Sequence, residues 1–218
     1  MTGADRSGRD VVRMGHGPDA DDAFVFEPLI HDRVDRDGLR FVHHHLPFDR
    51  LNARAAGDDP FDVTMLSVAA LARLTGRFLA LPFGGSFVRT MGPTLVAPER
   101  LPLRAFARGT VAVPGTETTA ALLLRFALPR VRTVVLPYDE IAAAVAAGHA
   151  DAGVVIHEGQ IDFTRHGLVA VSDLGVRWMR RNALPTPLAV CAIRADLPRA
   201  RRARIVRVLE RSLAAARA

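Results

Sequence analysis

Short apolar runs rich in β-branched residues alternate with helical segments along the chain. Residues 110–113 form one such run, which leads through a turn into a predicted helix at 120–126. Residues 11–16 form another, which leads through a polar turn into a predicted helix at 23–30. Alternating strands and helices favour units in which consecutive strands run parallel. We therefore predict an α/β fold with mixed, mostly parallel sheets.

Two proline-containing segments indicate how the chain is divided. Residues 98–106 are predicted to cross from one lobe to another, and residues 184–187 are predicted to return. Two lobes joined by two crossings form a clamshell, with a ligand cleft between the lobes. The predicted parts are a disordered leader at 1–10, a first lobe formed by 11–97 and 188–218, and an inserted second lobe at 98–187.

The formal net charge of +6 comes entirely from arginine, because the chain contains no lysine. Seven arginines lie in the last 20 residues, where Ile205, Val208, Leu209 and Leu213 form an apolar stripe at helical spacing. This pattern predicts a helix docked on the core with an arginine outer face, and no nucleic-acid partner. No apolar run approaches the ~20 residues of a membrane span, and the N-terminus lacks the apolar segment of a secretory signal. We therefore expect a cytoplasmic protein with a small-molecule substrate and no membrane partner.

Residues 151–159 read D-A-G-V-V-I-H-E-G, a buried-strand pattern that ends in a histidine and a glutamate. In open α/β sheets, ligands bind at the carboxyl ends of the strands. A histidine is suited to act as a general base at such a place, since its charge changes near neutral pH. His157 is therefore a candidate catalytic base. A plain role at the end of the strand is the alternative for a histidine considered alone.

A second polar constellation follows the first predicted strand. Residues 15–24 read G-H-G-P-D-A-D-D-A-F, so two glycines flank His16 and acidic residues open a helix. Glycines let the backbone approach a ligand closely, and a helix start offers free N–H groups to an anion. Asp19, Asp21 and Asp22 are candidates either for capping this helix or for positioning ligand hydroxyls. A Ca²⁺ loop is the competing interpretation, but the downstream glycine and glutamate of an EF-hand are missing.

Two further junctions between strand and helix carry hydroxyl groups. Residues 114–119 read P-G-T-E-T-T and are suited to cradle a carboxylate or phosphate, with an ordinary capped helix as the alternative. Ser67 follows another predicted strand, where it is predicted to cap the next helix, to contact a ligand, or both. The G-x-S-x-G pattern of hydrolase nucleophiles is absent from the sequence.

The sequence does not predict a metal site. On a strand, His43 and His45 share a face, but no third ligand is evident, so these histidines are predicted to be exposed or half-buried strand residues. The single cysteine, Cys191, excludes an internal disulfide and a Cys-based zinc site. Its apolar surroundings predict that it packs as a small hydrophobic residue.

Together these motifs resemble the 1,4-dihydroxy-6-naphthoate synthases of the futalosine route to menaquinone. The resemblance runs from about Val12 to the final helix and depends on the order and spacing of the motifs. They are G-H-G-P-D-A-D-D-A-F-V-F at 15–26, L-N at 51–52, D-V-T-M-L-S at 62–67, G-P-T-L-V-A at 92–97, V-A-V-P-G-x-x-T-T at 111–119, D-A-G-V-V-I-H-E-G at 151–159, D-L-G at 173–175 and L-P-T-P-L at 184–188.

The resemblance implies the two-lobed fold of type 2 periplasmic binding proteins. It also implies a carbon–carbon lyase reaction on cyclic dehypoxanthinyl futalosine, without a metal or organic cofactor. In this reaction His157 would be the base that takes a proton activated by a neighbouring carbonyl. The residues implied to bind the substrate are Thr118, Thr119, Ser67, Asn52, His16, Gly17, Asp19 and Asp22, with Arg89 as a candidate for its carboxylate.

The chain departs from the family pattern at three places. Gly17 stands where the family usually has serine, and Ala183 stands where it usually has glycine. The segment after D-L-G keeps one tryptophan, Trp178, of a usual pair. The alternative function is a non-catalytic small-molecule (carboxylate) binding protein or sensor on the same fold. The related chorismate dehydratases share the fold too, but their N-terminal pattern differs from P-D-A-D-D-A-F at 18–24.

Overall fold

The structure is a computed structural model that describes residues 10–18 and 20–218, without the side chains of residues 20 and 21. The described residues fall into two compact units. Unit 1 contains the residues up to Ser86 and those from Ala189 onward, and unit 2 is the continuous segment Phe87–Leu188. The predicted site residue Asp19, and residues 1–9 of the predicted leader, lie outside the described residues.

The described residues form eleven strands, eight α-helices and two short 3₁₀ helices. The strands are β1 (Asp10–His16), β2 (Leu39–His45), β3 (Val63–Ser67), β4 (Phe78–Ala80), β5 (Ser86–Val88), β6 (Thr94–Ala97), β7 (Thr110–Val113), β8 (Arg132–Val135), β9 (Ala152–Val155), β10 (Val169–Asp173) and β11 (Thr186–Arg194). The α-helices are α1 (Ala20–Ile30), α2 (Phe48–Ala56), α3 (Val68–Arg73), α4 (Thr119–Ala127), α5 (Ile141–Ala146), α6 (Gly159–Asp162), α7 (Leu174–Asn182) and α8 (Arg199–Ala216). The 3₁₀ helices are Leu103–Arg108 and Phe163–His166.

The sheet of unit 1 has the strand order β2-β1-β3-β11-β4. β1 pairs in parallel with β2 and β3, and β11 runs antiparallel to both β3 and β4. β3 is buried along its whole length, as expected for a central strand that reads as an apolar run. The core around it contains Met14, Phe26, Leu51 and Ile205, which come from β1, α1, α2 and α8.

The sheet of unit 2 has the strand order β10-β6-β9-β7-β8. β7 runs parallel to β8 and β9, whereas β6 runs antiparallel to β9 and β10. Side chains alternate along β7, so Val111 and Val113 join an apolar cluster with α4, while Ala112 joins a second cluster with α5. Helices therefore cover both faces of this sheet, as the alternation of strands and helices predicts.

The predicted α/β fold with mixed sheets is confirmed, but antiparallel pairings take a larger share than the sequence predicts. Apart from the pairing of β5 with β11, four described strand pairings are parallel and four are antiparallel. The antiparallel pairings involve β6 and β11, the strands near the two passages between units. These strands are not joined to their sheet neighbours by a helical crossover, so nothing forces them to run parallel.

The first passage between the units also differs from the prediction. It lies between Ser86 and Phe87 rather than after residue 97, because β6 pairs with β9 and β10 and therefore belongs to unit 2. The return lies between Leu188 and Ala189. Asp10, which was predicted to belong to the leader, begins β1 and pairs with Leu39 on β2.

The apolar stripe predicted near the end of the sequence lies on α8 and is buried except at Leu213, which is half-buried. Ile205, Val208 and Leu209 are fully covered, and α8 packs against α1. Cys191 on β11 is also fully buried among apolar residues, as predicted, and burial raises the pKa of its thiol far above the usual range. It therefore acts as a small hydrophobic residue of the core.

The arginines of α8 form ion pairs that connect the helix to other parts of unit 1. The Arg201 guanidinium lies 3.1 Å from the Asp10 carboxylate at the start of β1. Arg207 and Arg211 lie 3.5 Å and 3.6 Å from the carboxylate of Asp37. The basic face of α8 is therefore used partly for contacts within the fold.

Ala183, which stands where the resembling family usually has glycine, has a left-handed backbone. It ends α7 with φ of 55°, and its amide donates a hydrogen bond to the Met179 carbonyl at 2.8 Å. Helices commonly end on such a residue, and glycine is favoured there because a Cβ makes the conformation costly. The alanine therefore strains the end of α7.

We expect Ala183→Gly to raise the free energy of unfolding of unit 2 by about 1 kcal/mol, because it relieves this strain. Urea denaturation followed by fluorescence of Trp178, the only tryptophan, measures this unit directly. Ala147→Gly is the matched control, since Ala147 ends α5 with φ of −78° and gains nothing from glycine. An Ala183→Gly protein no more stable than wild type would contradict the prediction.

Candidate functional site

One edge of the unit 2 sheet collects polar residues from several strands. β7, β8, β9 and β10 all end at this edge, and β6, which runs in the opposite direction, begins there. His157 follows β9, Thr118 and Thr119 follow β7, Tyr138 follows β8, and Asp173 closes β10. Because α/β proteins bind ligands at the carboxyl ends of their strands, this edge carries the candidate site of unit 2.

His157 lies two residues beyond the end of β9, at the position predicted from the sequence. Its backbone is left-handed, with φ of 49°, and its side chain is half-buried. This conformation costs a residue other than glycine of order 1–3 kcal/mol, and such strain concentrates at functional sites. The imidazole lies edge-on to the ring of Tyr138, with the ring centroids 5.3 Å apart and the planes at 69°. Neither the strained backbone nor the contact with Tyr138 could be recognised from the sequence pattern.

Thr118 caps α4, which confirms the capped-helix interpretation. Its hydroxyl oxygen accepts a hydrogen bond from the Ala121 amide at 3.2 Å, and the hydroxyl donates to the Gly115 carbonyl at 2.8 Å. Thr119 donates from its own hydroxyl to the Leu188 carbonyl at 2.7 Å. These hydroxyls are engaged within the protein. Any anion bound here would therefore be held mainly by N–H groups in the first turn of α4.

Three motifs of the sequence meet at Gly92, next to the end of β9. The Gly92 amide donates to Oδ2 of Asp173 at 3.1 Å, and its carbonyl accepts from the Thr94 hydroxyl at 3.0 Å. A Cβ on Gly92 would lie 2.7 Å from the Cα of Gly175, so only glycine fits here. The Thr186 hydroxyl donates to the Gly175 carbonyl at 2.9 Å. The segments G-P-T-L, D-L-G and L-P-T-P-L therefore form one packed junction.

In unit 1, the loop after β1 is closed by its own hydrogen bonds. His16 is fully buried, with Nδ1 3.0 Å from the Gly17 carbonyl oxygen and Nε2 3.0 Å from Nδ1 of His43. Because a carbonyl only accepts, we assign a proton to Nδ1 of His16, which donates to the Gly17 carbonyl. The Gly17 amide donates to Oδ2 of the buried Asp22 at 2.5 Å. The structure thus brings His16, Gly17 and Asp22 together.

The three consecutive histidines of β2 lie on two faces, as predicted. His43 and His45 face His16, with ring centroids 5.2 Å and 4.5 Å from its ring, whereas His44 stacks on Phe61. His43 and His44 are half-buried and His45 is exposed. Burial, reinforced by the nearby histidines, lowers the pKa of His43 to about 4. His43 is therefore neutral at pH 7.

Asn52 and Ser67 form a reciprocal pair in unit 1. The Asn52 side-chain amide donates to the Ser67 hydroxyl at 3.0 Å, and the Ser67 backbone amide donates to Oδ1 of Asn52 at 3.1 Å. Both residues are buried. Ser67 stands at the N-cap position of α3, but its side chain makes no capping hydrogen bond. The predicted capping role is therefore wrong, because the hydroxyl is turned to Asn52.

Two further residues of unit 2 that the sequence singles out are Arg89 and Trp178. Arg89, the candidate for a substrate carboxylate, is exposed. Trp178 stacks on Phe126, with the ring centroids 5.6 Å apart, so the one remaining tryptophan is used in packing α7 against α4.

Within the part of the chain that the structure describes, no group of three or more histidine, cysteine or acidic side chains is arranged to hold a metal ion. His43 and His45 thus gain no third ligand among the described residues. The helices of the same residues include none that is both long and apolar enough to cross a membrane.

The fold is that of the periplasmic-binding-protein class. The periplasmic aliphatic sulphonate binding protein of Escherichia coli superposes with a TM-score of 0.63 at 14% identity, over 95% of this chain and 74% of that one. A crystal structure of an Archaeoglobus fulgidus protein superposes with a TM-score of 0.85 at 36% identity, over 94% of this chain and 76% of that one.

Sequence comparison defines the family within this class. The family model described as menaquinone biosynthesis matches residues 12–218. The chain is also 40% identical over 189 residues to the 1,4-dihydroxy-6-naphthoate synthase of Thermus thermophilus, an alignment that covers 86% of this chain and 68% of that enzyme. The chain therefore belongs to the menaquinone biosynthesis family, as the resemblance of its motifs predicts.

We expect Thr118→Val to lower the free energy of unfolding of unit 2 by about 1–2 kcal/mol, because it leaves the Ala121 amide without its cap. Thr118→Ser keeps the capping oxygen and should stay within about 0.5 kcal/mol of wild type. Urea denaturation followed by Trp178 fluorescence measures the free energy of unfolding of both variants. Equal stability of the valine and serine proteins would show that the cap contributes nothing.

The low pKa of His43 predicts how the stability of unit 1 depends on pH. Between pH 6.5 and 4 the unfolded chain takes up a proton at His43 that the folded protein does not bind. The free energy of unfolding should therefore fall by about 2 kcal/mol as the pH is lowered through this range. His43→Gln should flatten this dependence in urea denaturation followed by circular dichroism. His31→Gln, at an exposed histidine, should leave it unchanged; equal slopes in both variants would contradict the assignment.

Proposed function

We propose that this protein is an enzyme of menaquinone biosynthesis that converts cyclic dehypoxanthinyl futalosine to 1,4-dihydroxy-6-naphthoate. The proposed reaction is a carbon–carbon lyase step with His157 as the general base. The observation that carries the proposal is the position of His157, with a strained backbone at the carboxyl edge of the unit 2 sheet, in a chain of this family.

The proposed chemistry needs a base and a fixed geometry. The imidazole of His157 takes a proton from a carbon that is activated by a neighbouring carbonyl of the substrate. Cleavage of a carbon–carbon bond then releases the sugar-derived part and leaves the aromatic naphthoate. A positioned general base of this kind contributes typically 10²–10⁴-fold to a rate. A half-buried ring with an aromatic neighbour suits this role, because its orientation is restricted.

The proposed binding residues divide into two sets. In unit 2, Thr118 and Thr119 place the first turn of α4 beside the reacting edge, where backbone N–H groups suit a carboxylate. In unit 1, Asn52 and Ser67 supply a preformed polar pair at the end of β3. The fully buried His16 supports the shape of its loop, together with Gly17 and Asp22.

We expect His157→Asn to lower turnover by at least about 100-fold, because it removes the base while asparagine tolerates the left-handed backbone. The measurement is mass-spectrometric detection of 1,4-dihydroxy-6-naphthoate after incubation with cyclic dehypoxanthinyl futalosine. Isothermal titration calorimetry of the variant with the substrate should give a Kd within about threefold of the KM of the wild type.

His166→Asn is the matched control, because His166 is an exposed histidine of the same unit. It should turn over substrate at the wild-type rate. Undiminished turnover by His157→Asn would refute the assignment of the base. Substrate binding by the folded wild-type protein without any product would refute the lyase and favour a binding protein on the same fold.

A further inference from the structure

The imidazole of His157 is held by residues that the proposed reaction has not so far used. His157 follows a buried strand, but its left-handed backbone is not a continuation of that strand. Such a conformation persists only where its surroundings impose it. Two contacts in unit 2 bear on this residue, one on its backbone and one on its ring.

The backbone contact is made by Gln160, the only glutamine of the chain. We assign the Gln160 amide the orientation that satisfies both of its ends, because the opposite one would turn the oxygen to a carbonyl and the nitrogen to an N–H. In this orientation the oxygen accepts a hydrogen bond from the His157 amide at 3.3 Å, and the nitrogen donates to the Gly92 carbonyl at 2.7 Å. Its own backbone amide donates to the His157 carbonyl at 3.1 Å. A glutamine that reaches back to the residue three positions earlier resembles one half of a capping box. Gln160 thus binds both the amide and the carbonyl of His157, and its side chain also binds the carbonyl of Gly92.

Gly92 is a fixed point for this connection. Its amide is bound by Asp173, whose other carboxylate oxygen accepts from the Val176 amide at 2.8 Å and so caps α7. A Cβ on Gly92 would lie only 2.7 Å from the Cα of Gly175, so the two backbones lie close together and Gly92 has little room to shift toward α7. Because Gly92 is buried and held on these sides, a side chain bonded to its carbonyl is held as well.

The ring contact is made by Tyr138, the only tyrosine of the chain. It follows β8, so it reaches the same edge of the sheet from a different strand than His157. The edge-on contact, with ring centroids 5.3 Å apart, restricts rotation of the imidazole. The aromatic ring supplies this contact, so phenylalanine should replace tyrosine and leucine should not.

We propose that Gln160 and Tyr138 are positioning residues, Gln160 for the backbone of His157 and Tyr138 for its imidazole. The expected effect of these residues on the rate rests on the proposed function, in which His157 is the base. A general base must lie within hydrogen-bond reach of the proton that it takes. A displacement of about 1 Å costs on the order of 100-fold in rate, even when the group itself is intact.

The test combines kinetics with an NMR measurement that does not depend on activity. Gln160→Leu and Tyr138→Leu should each lower kcat about 10–100-fold while KM stays within about threefold, because the base is displaced and the binding residues are not. Tyr138→Phe should keep kcat within about threefold of wild type. Ile161→Ala, at an exposed side chain next to Gln160, is the matched control and should change neither constant.

The NMR arm follows the imidazole signals of His157, identified by their loss in His157→Asn. These signals should shift or broaden in Gln160→Leu and Tyr138→Leu, and should keep their wild-type positions in Tyr138→Phe and Ile161→Ala. Gln160→Glu is the second variant at this position, since it keeps an acceptor for the His157 amide but loses the donor to Gly92. The His157 signals of Gln160→Glu should lie between those of the wild type and those of Gln160→Leu.

The possible failures are distinguishable. Unchanged His157 signals in folded Gln160→Leu and Tyr138→Leu would overturn the positioning inference, whatever the rates. If Gln160→Leu does not fold, unchanged signals in Gln160→Glu would overturn the role of Gln160. A wild-type protein without turnover would refute the proposed function, and the NMR arm would still decide whether these residues hold His157.

Discussion

The close approach of Gly92 and Gly175 is the constraint on which the candidate site of unit 2 depends. Only two glycines allow the segment before β6 to touch the first turn of α7. This contact places the Gly92 carbonyl where Gln160 reaches it and the Gly92 amide where Asp173 reaches it. The strained backbone of His157 is therefore fixed by main-chain packing between two other segments. A side chain at either glycine would therefore displace His157 without touching it.

Much of the architecture could be predicted from local pattern. Alternating strands and helices predict the α/β class, and the run V-V-I before His157 predicts a buried strand whose end carries the polar residues. The direction of β6 and β11 could not be predicted, because it depends on how the chain passes between units. For the same reason, local pattern places the first passage between the units too late, since β6 joins its partners across long stretches of sequence.

The site could be predicted only in part, for a related physical reason. Sequence pattern locates His157, Thr118 and Ser67, because each lies at or just beyond the end of a strand. It did not show that the hydroxyls of Thr118 and Ser67 are already bound within the protein, since their partners are set by tertiary structure. Gln160 was missed because a glutamine in a short helix looks like an ordinary surface residue. Its function in the fold becomes visible only when Gly92 is placed beside it.

The insertion of unit 2 into unit 1 sets an order in which a ribosome-bound chain can fold. Unit 2 is continuous, so every strand of its sheet is available once Leu188 has emerged. Unit 1 must wait, because β11 lies between β3 and β4, and because Arg201 of α8 pairs with Asp10 at the start of β1. The segment synthesised second therefore completes first, and the early strands remain exposed meanwhile. During synthesis, those early strands are the part of this protein most in need of a chaperone.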